Sequence, residues 1–138
     1  MTPAADAGKT TLYQAIDPQQ LHTLVDNNWQ RLAPAGGDEK FCLLPVRQRH
    51  AEMIARQLLL PARGAAYVIR LELPSHQLSA YPLETVAYEE HLEYRVPVAS
   101  MEKVSDSLLG AVQLVCVFRD QHSYSVPWGY RWCNRLLA

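Results

Sequence analysis

The sequence lacks a surplus of charge of either sign. Its 138 residues include 13 lysines and arginines against 14 aspartates and glutamates, which gives a formal net charge of −1. Binding to the phosphate backbone of a nucleic acid, or to an anionic membrane surface, depends on an excess of basic residues. The composition therefore predicts neither a nucleic acid nor a membrane as a partner.

Long apolar segments and paired cysteines are also missing. The longest nearly uncharged apolar run, residues 108–118, is well short of the ~20 residues that a membrane-spanning helix needs. Residues 1–9 contain no apolar stretch of the kind found in secretory signal peptides. The three cysteines, Cys42, Cys116 and Cys133, are far apart and form no CxxC pair. This usage is typical of a reducing compartment, and we expect a cytoplasmic location.

What the sequence does contain suits one ordinary globular domain, with 49% hydrophobic and 20% charged residues. We predict a loose leader over residues 1–10 and a single domain over residues 11–138, in which residues 119–138 form an edge hairpin or tail. That tail carries alternating aromatic side chains, Trp128, Tyr130 and Trp132 among them. They either cover one side of the sheet, the favoured interpretation, or anchor a protein partner.

Hydrophobic periodicity predicts an α+β fold. Alternating or short apolar runs indicate strands at 11–16, 41–45, 67–73, 81–87, 91–96 and 111–118. Helical spacing indicates helices from Asp17-Pro18 onward, over about 47–60 and over 99–109. Because strands and helices do not alternate strictly, a mainly antiparallel sheet with helices packed on it is favoured over a doubly wound parallel sheet.

The first two predicted helices have specific signals. Asp17 is a suitable N-cap, Pro18 suits the first helical position and Gln20 completes a capping box. One apolar stripe then follows at helical spacing: Leu21, Leu24, Val25, Trp29 and Leu32. The inner face of the second helix is predicted to consist of Ala51, Ile54, Ala55 and Leu58.

The second helix is also locally basic, with Arg47, Arg49, His50, Arg56 and Arg63. Such a run can bind a phosphate or the pyrophosphate of a nucleotide. However, Glu52 lies three residues after Arg49 and four residues before Arg56. This spacing favours a ladder of ion pairs on a solvated helix face.

Glu93 is the most notable titratable residue, in a segment that also contains Glu89, Glu90 and His91. The alternation places it with Arg95 on the polar face of a strand. A carboxylate held rigidly there can accept a hydrogen bond from a sugar hydroxyl or stabilise a developing cation. On the residues alone, an exposed carboxylate paired with a lysine or arginine is favoured. The five histidines show no ligand spacing, so no metal is expected.

Taken in order, several segments resemble a group of small bacterial proteins labelled "ADP-ribosylation/crystallin J1". The resemblance spans about residues 11–118, and its strength lies in the order and spacing of the segments. They are Thr11-Leu12-Tyr13, residues 41–45 with the helix bearing Ala51 and Ile54-Ala55-Arg56, Tyr67-Val68-Ile69-Arg70, residues 91–97, and Leu109-Gly110-Ala111-Val112.

This resemblance implies a compact ADP-ribosyltransferase-like fold, a split and mainly antiparallel β-sheet with two or three packed helices that grips NAD in a central cleft. It implies Glu93 as the catalytic carboxylate that positions the nicotinamide ribose. Tyr13 would stack on nicotinamide, and Gln14, Phe41 and Tyr94 would also contact the dinucleotide. The implied activity is ADP-ribosyl transfer or hydrolysis of the glycosidic bond of NAD.

A second hypothesis is a catalytically silent interaction or immunity-like module, which uses the same cleft or the aromatic tail to bind a protein partner. Transferases of this fold generally carry an arginine or histidine on the first strand, where this sequence has Leu12 and Gln14 beside Tyr13. A cleft that holds Tyr13 and Glu93 within ligand reach of each other favours the enzyme. A cleft filled by the chain's own tail favours the module.

Overall fold

The structure is a computed structural model that describes residues 8–34, 39–86, 88–119 and 122–125. The strands within these ranges are β1 (Lys9–Ile16), β2 (Phe41–Pro45), β3 (Ala65–Pro74), β4 (Leu83–Val86), β5 (Tyr88–Pro97), β6 (Gln113–Arg119) and β7 (His122–Ser125). The α-helices are α1 (Pro18–Asp26), α2 (Gln48–Ile54), α3 (Leu60–Arg63) and α4 (Met101–Asp106). A π-helical turn (Ala55–Leu59) joins α2 to α3, and 3₁₀ helices cover Ser75–Ala80 and Val98–Ser100.

The strands form two small sheets in which every neighbouring pair is antiparallel. One sheet has the order β1-β3-β6-β7 and the other has the order β2-β5-β4. The predicted α+β class with mainly antiparallel pairing is therefore confirmed. Among the described residues, no helix combines the length and the apolar character that a membrane crossing requires.

The larger sheet has apolar residues on both faces. Along β3, Tyr67, Ile69, Leu71 and Leu73 belong to the main core, as their alternation predicts. Ala66 and Val68 point the other way and pack with Ala51 and Ala55 of the helical segment 48–63. This second, smaller cluster fixes the position of α2 against the sheet.

Helix α1 begins as its sequence predicts. The Asp17 side chain accepts a hydrogen bond of 2.8 Å from the backbone N–H of Gln20, and the Gln20 side chain accepts one of 3.0 Å from the backbone N–H of Asp17. Two amide groups at the start of the helix are thereby satisfied by local side chains, and Pro18 occupies the first helical turn. The predicted capping box is confirmed.

The end of α1 differs from the prediction, which continued the apolar stripe through Trp29 and Leu32. The helix ends at Asp26, and Asn28 and Trp29 have left-handed φ values of 61° and 63°. The Trp29 N–H donates to the Leu24 carbonyl and the Asn28 N–H to the Val25 carbonyl, which is the Schellman pattern. Trp29 and Leu32 are still buried in the core, but they reach it from a loop.

The inner face of the second helical segment also differs in two of its four predicted positions. Ala51 and Ala55 are fully buried as predicted, but Leu58 is 64% exposed, and Ile54 is only partly buried and belongs to neither core cluster. A π-helical turn accommodates an extra residue per turn, so the residues after it are rotated relative to an α-helix. Leu59 and Leu60 therefore take the packing position that the sequence assigned to Leu58.

The two ends of the chain lie largely outside the described residues. Strand β1 begins at Lys9, inside the segment 1–10 that was predicted as a leader, and residues 1–7 are not described. Strand β7 pairs with β6 at the edge of the larger sheet. Residues 126–138, with the aromatic side chains of the predicted tail, are outside the described part of the chain.

Candidate functional site

Glu93 and His50 form a buried pair between β5 and α2. The Glu93 Oε1 and His50 Nε2 atoms are 3.5 Å apart, and each side chain is only 3% exposed. Glu93 lies directly opposite Pro45 of β2, on the sheet face that also carries Arg95. This is the face predicted from the alternation, but at Glu93 it is closed to solvent, where His50 of α2 packs against the carboxylate. The expectation of an exposed carboxylate paired with a lysine or arginine is therefore wrong.

The surroundings of Glu93 favour its protonated form. Burial raises the pKa of Glu93, because the charged form loses its hydration; the Arg95 guanidinium lowers this pKa and the Glu84 carboxylate raises it. Arg95 is itself engaged with Glu84, at an Nε to Oε1 distance of 3.2 Å. The contact is electrostatic only, since Arg95 Nε is buried without a hydrogen bond. Glu93 thus retains its proton to a higher pH than an exposed glutamate does.

His50 connects this pair to a groove along α2. The groove has a volume of about 450 Å³. It is lined by the N-cap residue of α2, Arg47, and by residues of α2 and the π-helical turn, including Arg49, His50, Glu52, Met53 and Arg56. His50 is the innermost of them, since it is 2% exposed. Arg47, Arg49 and Arg56 are exposed at the rim. The groove therefore contains three guanidinium groups, those of Arg47, Arg49 and Arg56, and one carboxylate, that of Glu52.

The predicted ladder of ion pairs does not form in this groove. Within the described ranges, none of Arg47, Arg49 and Arg56 has a carboxylate oxygen within 4.0 Å. Glu52 instead accepts a hydrogen bond of 2.9 Å from the Gln48 side chain. Arg56 belongs to the π-helical turn, where a spacing of four residues no longer stacks side chains, and it lies 5.9 Å from the Phe118 ring centroid. The arginines therefore keep their charge available for an anion.

Of the residues that the resemblance assigns to NAD, Tyr13 lies on the same side as Glu93. Tyr13 packs against the cluster that contains Ala51 and Ala55, so both it and Glu93 are covered by the helical segment that carries His50. Tyr13 does not belong to the lining of the groove. The helix contacts β1 and β3 of the larger sheet and β2 of the smaller sheet on this side, where the resemblance implies a cleft.

The other three assigned residues point elsewhere. Gln14 lies on the opposite face of β1 from Tyr13 and is 4% exposed, and its Oε1 has no hydrogen-bond partner among the described residues. Tyr94 packs against the main core. Phe41 is 44% exposed and lies under the Arg95 guanidinium at 5.8 Å. The structure therefore does not bring Gln14, Phe41 and Tyr94 together around one ligand site.

Comparisons with protein-family models, with curated proteins and with solved structures find no match for this chain.

Two other chemistries find little support among the described residues. No group of three or more His, Cys, Asp and Glu side chains is arranged there to hold a metal ion, whereas a structural or catalytic zinc takes at least three protein ligands. Cys116 is buried, and burial raises the pKa of its thiol to about 11. It is therefore a thiol at neutral pH and a poor nucleophile.

The groove is suited to binding an anion. Guanidinium groups present planar forks of N–H donors that match phosphate oxygens, and they remain charged at every physiological pH. The groove carries two more formal positive charges than negative ones, because Glu52 faces Arg47, Arg49 and Arg56. His50 lies at its inner end, with Nε2 3.5 Å from Glu93 Oε1. Sequence reasoning identified the basic run but missed the pairing of His50 with Glu93.

Proposed function

We propose that this domain binds the phosphate groups of a nucleotide-class ligand in the groove along α2. The observation that carries the proposal is the set of arginines, Arg47, Arg49 and Arg56, that line one groove without a carboxylate within 4.0 Å. The volume of about 450 Å³ falls within the range of small-molecule sites.

NAD fits this groove in part. Its pyrophosphate matches the guanidinium groups, but no Phe, Tyr or Trp side chain of the described residues lines the groove to stack on adenine or nicotinamide. Recognition would therefore rest on the phosphates, and pyrophosphate alone should retain much of the affinity of NAD. Met53 offers the lining an apolar contact for a ring.

We expect wild-type protein to bind pyrophosphate and NAD in calorimetric titrations at low ionic strength. Arg49→Ala should weaken both ligands by about 10- to 100-fold, since a hydrogen bond to a charged group contributes about 1.5–3 kcal/mol. Lys103→Ala on α4 is the matched control, because it removes an exposed cation far along the chain from the groove. Absence of binding at millimolar pyrophosphate, or equal losses in the two variants, would contradict the proposal.

A second candidate function is cleavage of bound NAD, with Glu93 acting through His50 as the base that takes up the proton of the attacking water. The observation in its favour is a buried carboxylate of raised pKa that adjoins His50, the innermost residue of the groove; perturbed carboxylates are concentrated at functional sites. In this reaction the bond between ribose C1′ and the nicotinamide nitrogen breaks, and nicotinamide leaves with the electron pair. Water adds to C1′ and releases one proton, which yields ADP-ribose; in a transfer reaction an acceptor nucleophile replaces water.

Release of nicotinamide tests this second function. We expect Glu93→Gln to retain NAD binding and to lose at least about 100-fold in the rate of release, as is typical when a positioned acid or base is removed. Wild-type protein that binds NAD without releasing nicotinamide would rule out cleavage and leave a silent binding module. An unchanged rate in Glu93→Gln would rule out a catalytic role of this carboxylate.

A further inference from the structure

We infer that His50, held in place by Glu93, is a fourth cationic group of the groove, so that an anion binds together with one proton. This inference rests on the proposed anion-binding function and extends it to the ionisation of the ligand site.

The geometry makes His50 the contact between the groove and the buried carboxylate. His50 lines the groove, whereas Glu93 does not and is reached through His50. With an Nε2 to Oε1 distance of 3.5 Å and 3% exposure on each side, the two groups share a site from which water is largely excluded. The pair has a charge of +1, 0 or −1 as it carries two, one or no protons. A bound anion favours the states with more protons, because charge interactions are strong where water is excluded.

The other charged and titratable groups around the pair limit which residue takes up the proton. They are Arg47 at the N-cap of α2, Arg49 and Glu52 from α2, Arg56 from the π-helical turn, Arg95 from β5 and Glu84 from β4, together with Tyr13 from β1 and Cys116 from β6, which belong to the cluster packed against the helical segment. Arginines keep their charge throughout, and the Cys116 thiol titrates near a pKa of about 11.

The two groups in contact are His50 and Glu93. Histidine is the side chain that ordinarily changes charge in the physiological pH range, and burial raises the pKa of Glu93 above its ordinary value. Because the two groups are in contact, they titrate as one coupled unit, and the proton belongs to the pair. Uptake of one proton on binding makes the dissociation constant rise with pH, by at most about tenfold per pH unit.

Inorganic sulfate is the appropriate probe, because it stays dianionic from about pH 5 to about pH 8 and contributes no proton of its own. We expect calorimetry on the wild-type protein to show sulfate affinity that falls as the pH rises, approaching tenfold per pH unit. Titrations in buffers with different ionisation enthalpies should show uptake of about one proton per sulfate. This measurement requires no variant and so does not depend on whether a substituted pair folds.

Two variants locate the proton. His50→Asn should retain weak sulfate binding through the arginines, with no proton uptake and no pH dependence. Glu52→Gln, which removes the groove's own carboxylate, should leave the pH dependence in place. Loss of the pH dependence in Glu52→Gln, or its persistence in His50→Asn, would overturn the inference.

The outcomes also separate this inference from the function on which it rests. Sulfate that binds to wild type with no pH dependence and no proton uptake overturns the role of His50 and leaves the anion site intact. Failure of sulfate and pyrophosphate to bind at any pH overturns both.

Discussion

Trp29→Ala is expected to lower the free energy of unfolding by about 3–5 kcal/mol, the range for truncation of a large buried aromatic side chain. Trp29 is 2% exposed and belongs to the main core. Its backbone also ties two segments together, since its N–H donates to the Leu24 carbonyl and its carbonyl accepts from the Val112 N–H. Alanine would keep these backbone bonds but leave a cavity that the surrounding strands cannot fill.

Urea denaturation followed by far-UV circular dichroism measures this loss independently of tryptophan fluorescence. Trp29→Phe is the matched control, because it keeps an aromatic ring at the same left-handed position and should cost clearly less. The m-value should stay the same in all three proteins if only the stability of the native state changes. A loss below about 1 kcal/mol in Trp29→Ala would mean that the loop after α1 does not pack as the structure shows, since such a value is typical of surface substitutions.

The parts of the fold that sequence reasoning predicted are those fixed by local interactions. The start of α1 depends on Asp17 and Gln20, which are three residues apart and satisfy each other's amide groups. The position of β3 is recognisable from the alternation of its core residues, which lie on one face of the sheet. Strand β2 has the bounds that its short apolar run predicted. In each case the residues that determine the structure are neighbours in the sequence.

The structure departs from the sequence prediction where the backbone leaves regular α-helical geometry, because the helical spacing of apolar residues no longer applies there. Asn28 accepts the left-handed conformation that ends α1, and this moves Trp29 out of the helix while leaving it in the core. The π-helical turn places Leu59 and Leu60, rather than Leu58, against the sheet. A count of helical spacing assumes a constant rotation per residue, so it cannot detect either change.

The candidate site was only half predictable for a similar reason. The polar-face position of Glu93 follows from alternation within β5, and the basic run follows from the composition of the second helix. The contact of Glu93 with His50 of the basic run depends on how α2 packs against β1, β2 and β3, and no spacing in the sequence encodes that contact. In the predicted ladder, only the spacing from Glu52 to Arg56 extends into the π-helical turn. Arg49 and Glu52 both lie within α2, but Glu52 accepts a hydrogen bond from Gln48 instead. The separation of Gln14 from Tyr13 follows from their adjacency on one strand, which places them on opposite faces.

His50→Leu is expected to destabilise the protein by about 3–5 kcal/mol near neutral pH, the cost of leaving one member of a buried ionisable pair without the other. The double variant His50→Leu with Glu93→Leu should recover most of this loss. Leucine suits both the buried helix position and the β5 position, and apolar replacement of a complete buried pair is often neutral or stabilising. Denaturant unfolding of the two single variants and the double variant gives the coupling energy directly.

The pH dependence of the single variant provides the stricter test. Burial raises the pKa of Glu93, so the folded state binds this proton more tightly than the unfolded state does. The stability that the Glu93 proton contributes to the folded state is therefore fully present below the ordinary pKa of glutamate. It is lost as the pH rises through the raised pKa that Glu93 has in the folded protein. In His50→Leu, with no imidazole beside the carboxylate, the destabilisation should grow as the pH rises through that window. In the double variant this dependence should disappear. A pH-independent loss in His50→Leu would show that the histidine contributes packing alone, and that Glu93 is not the charge it faces.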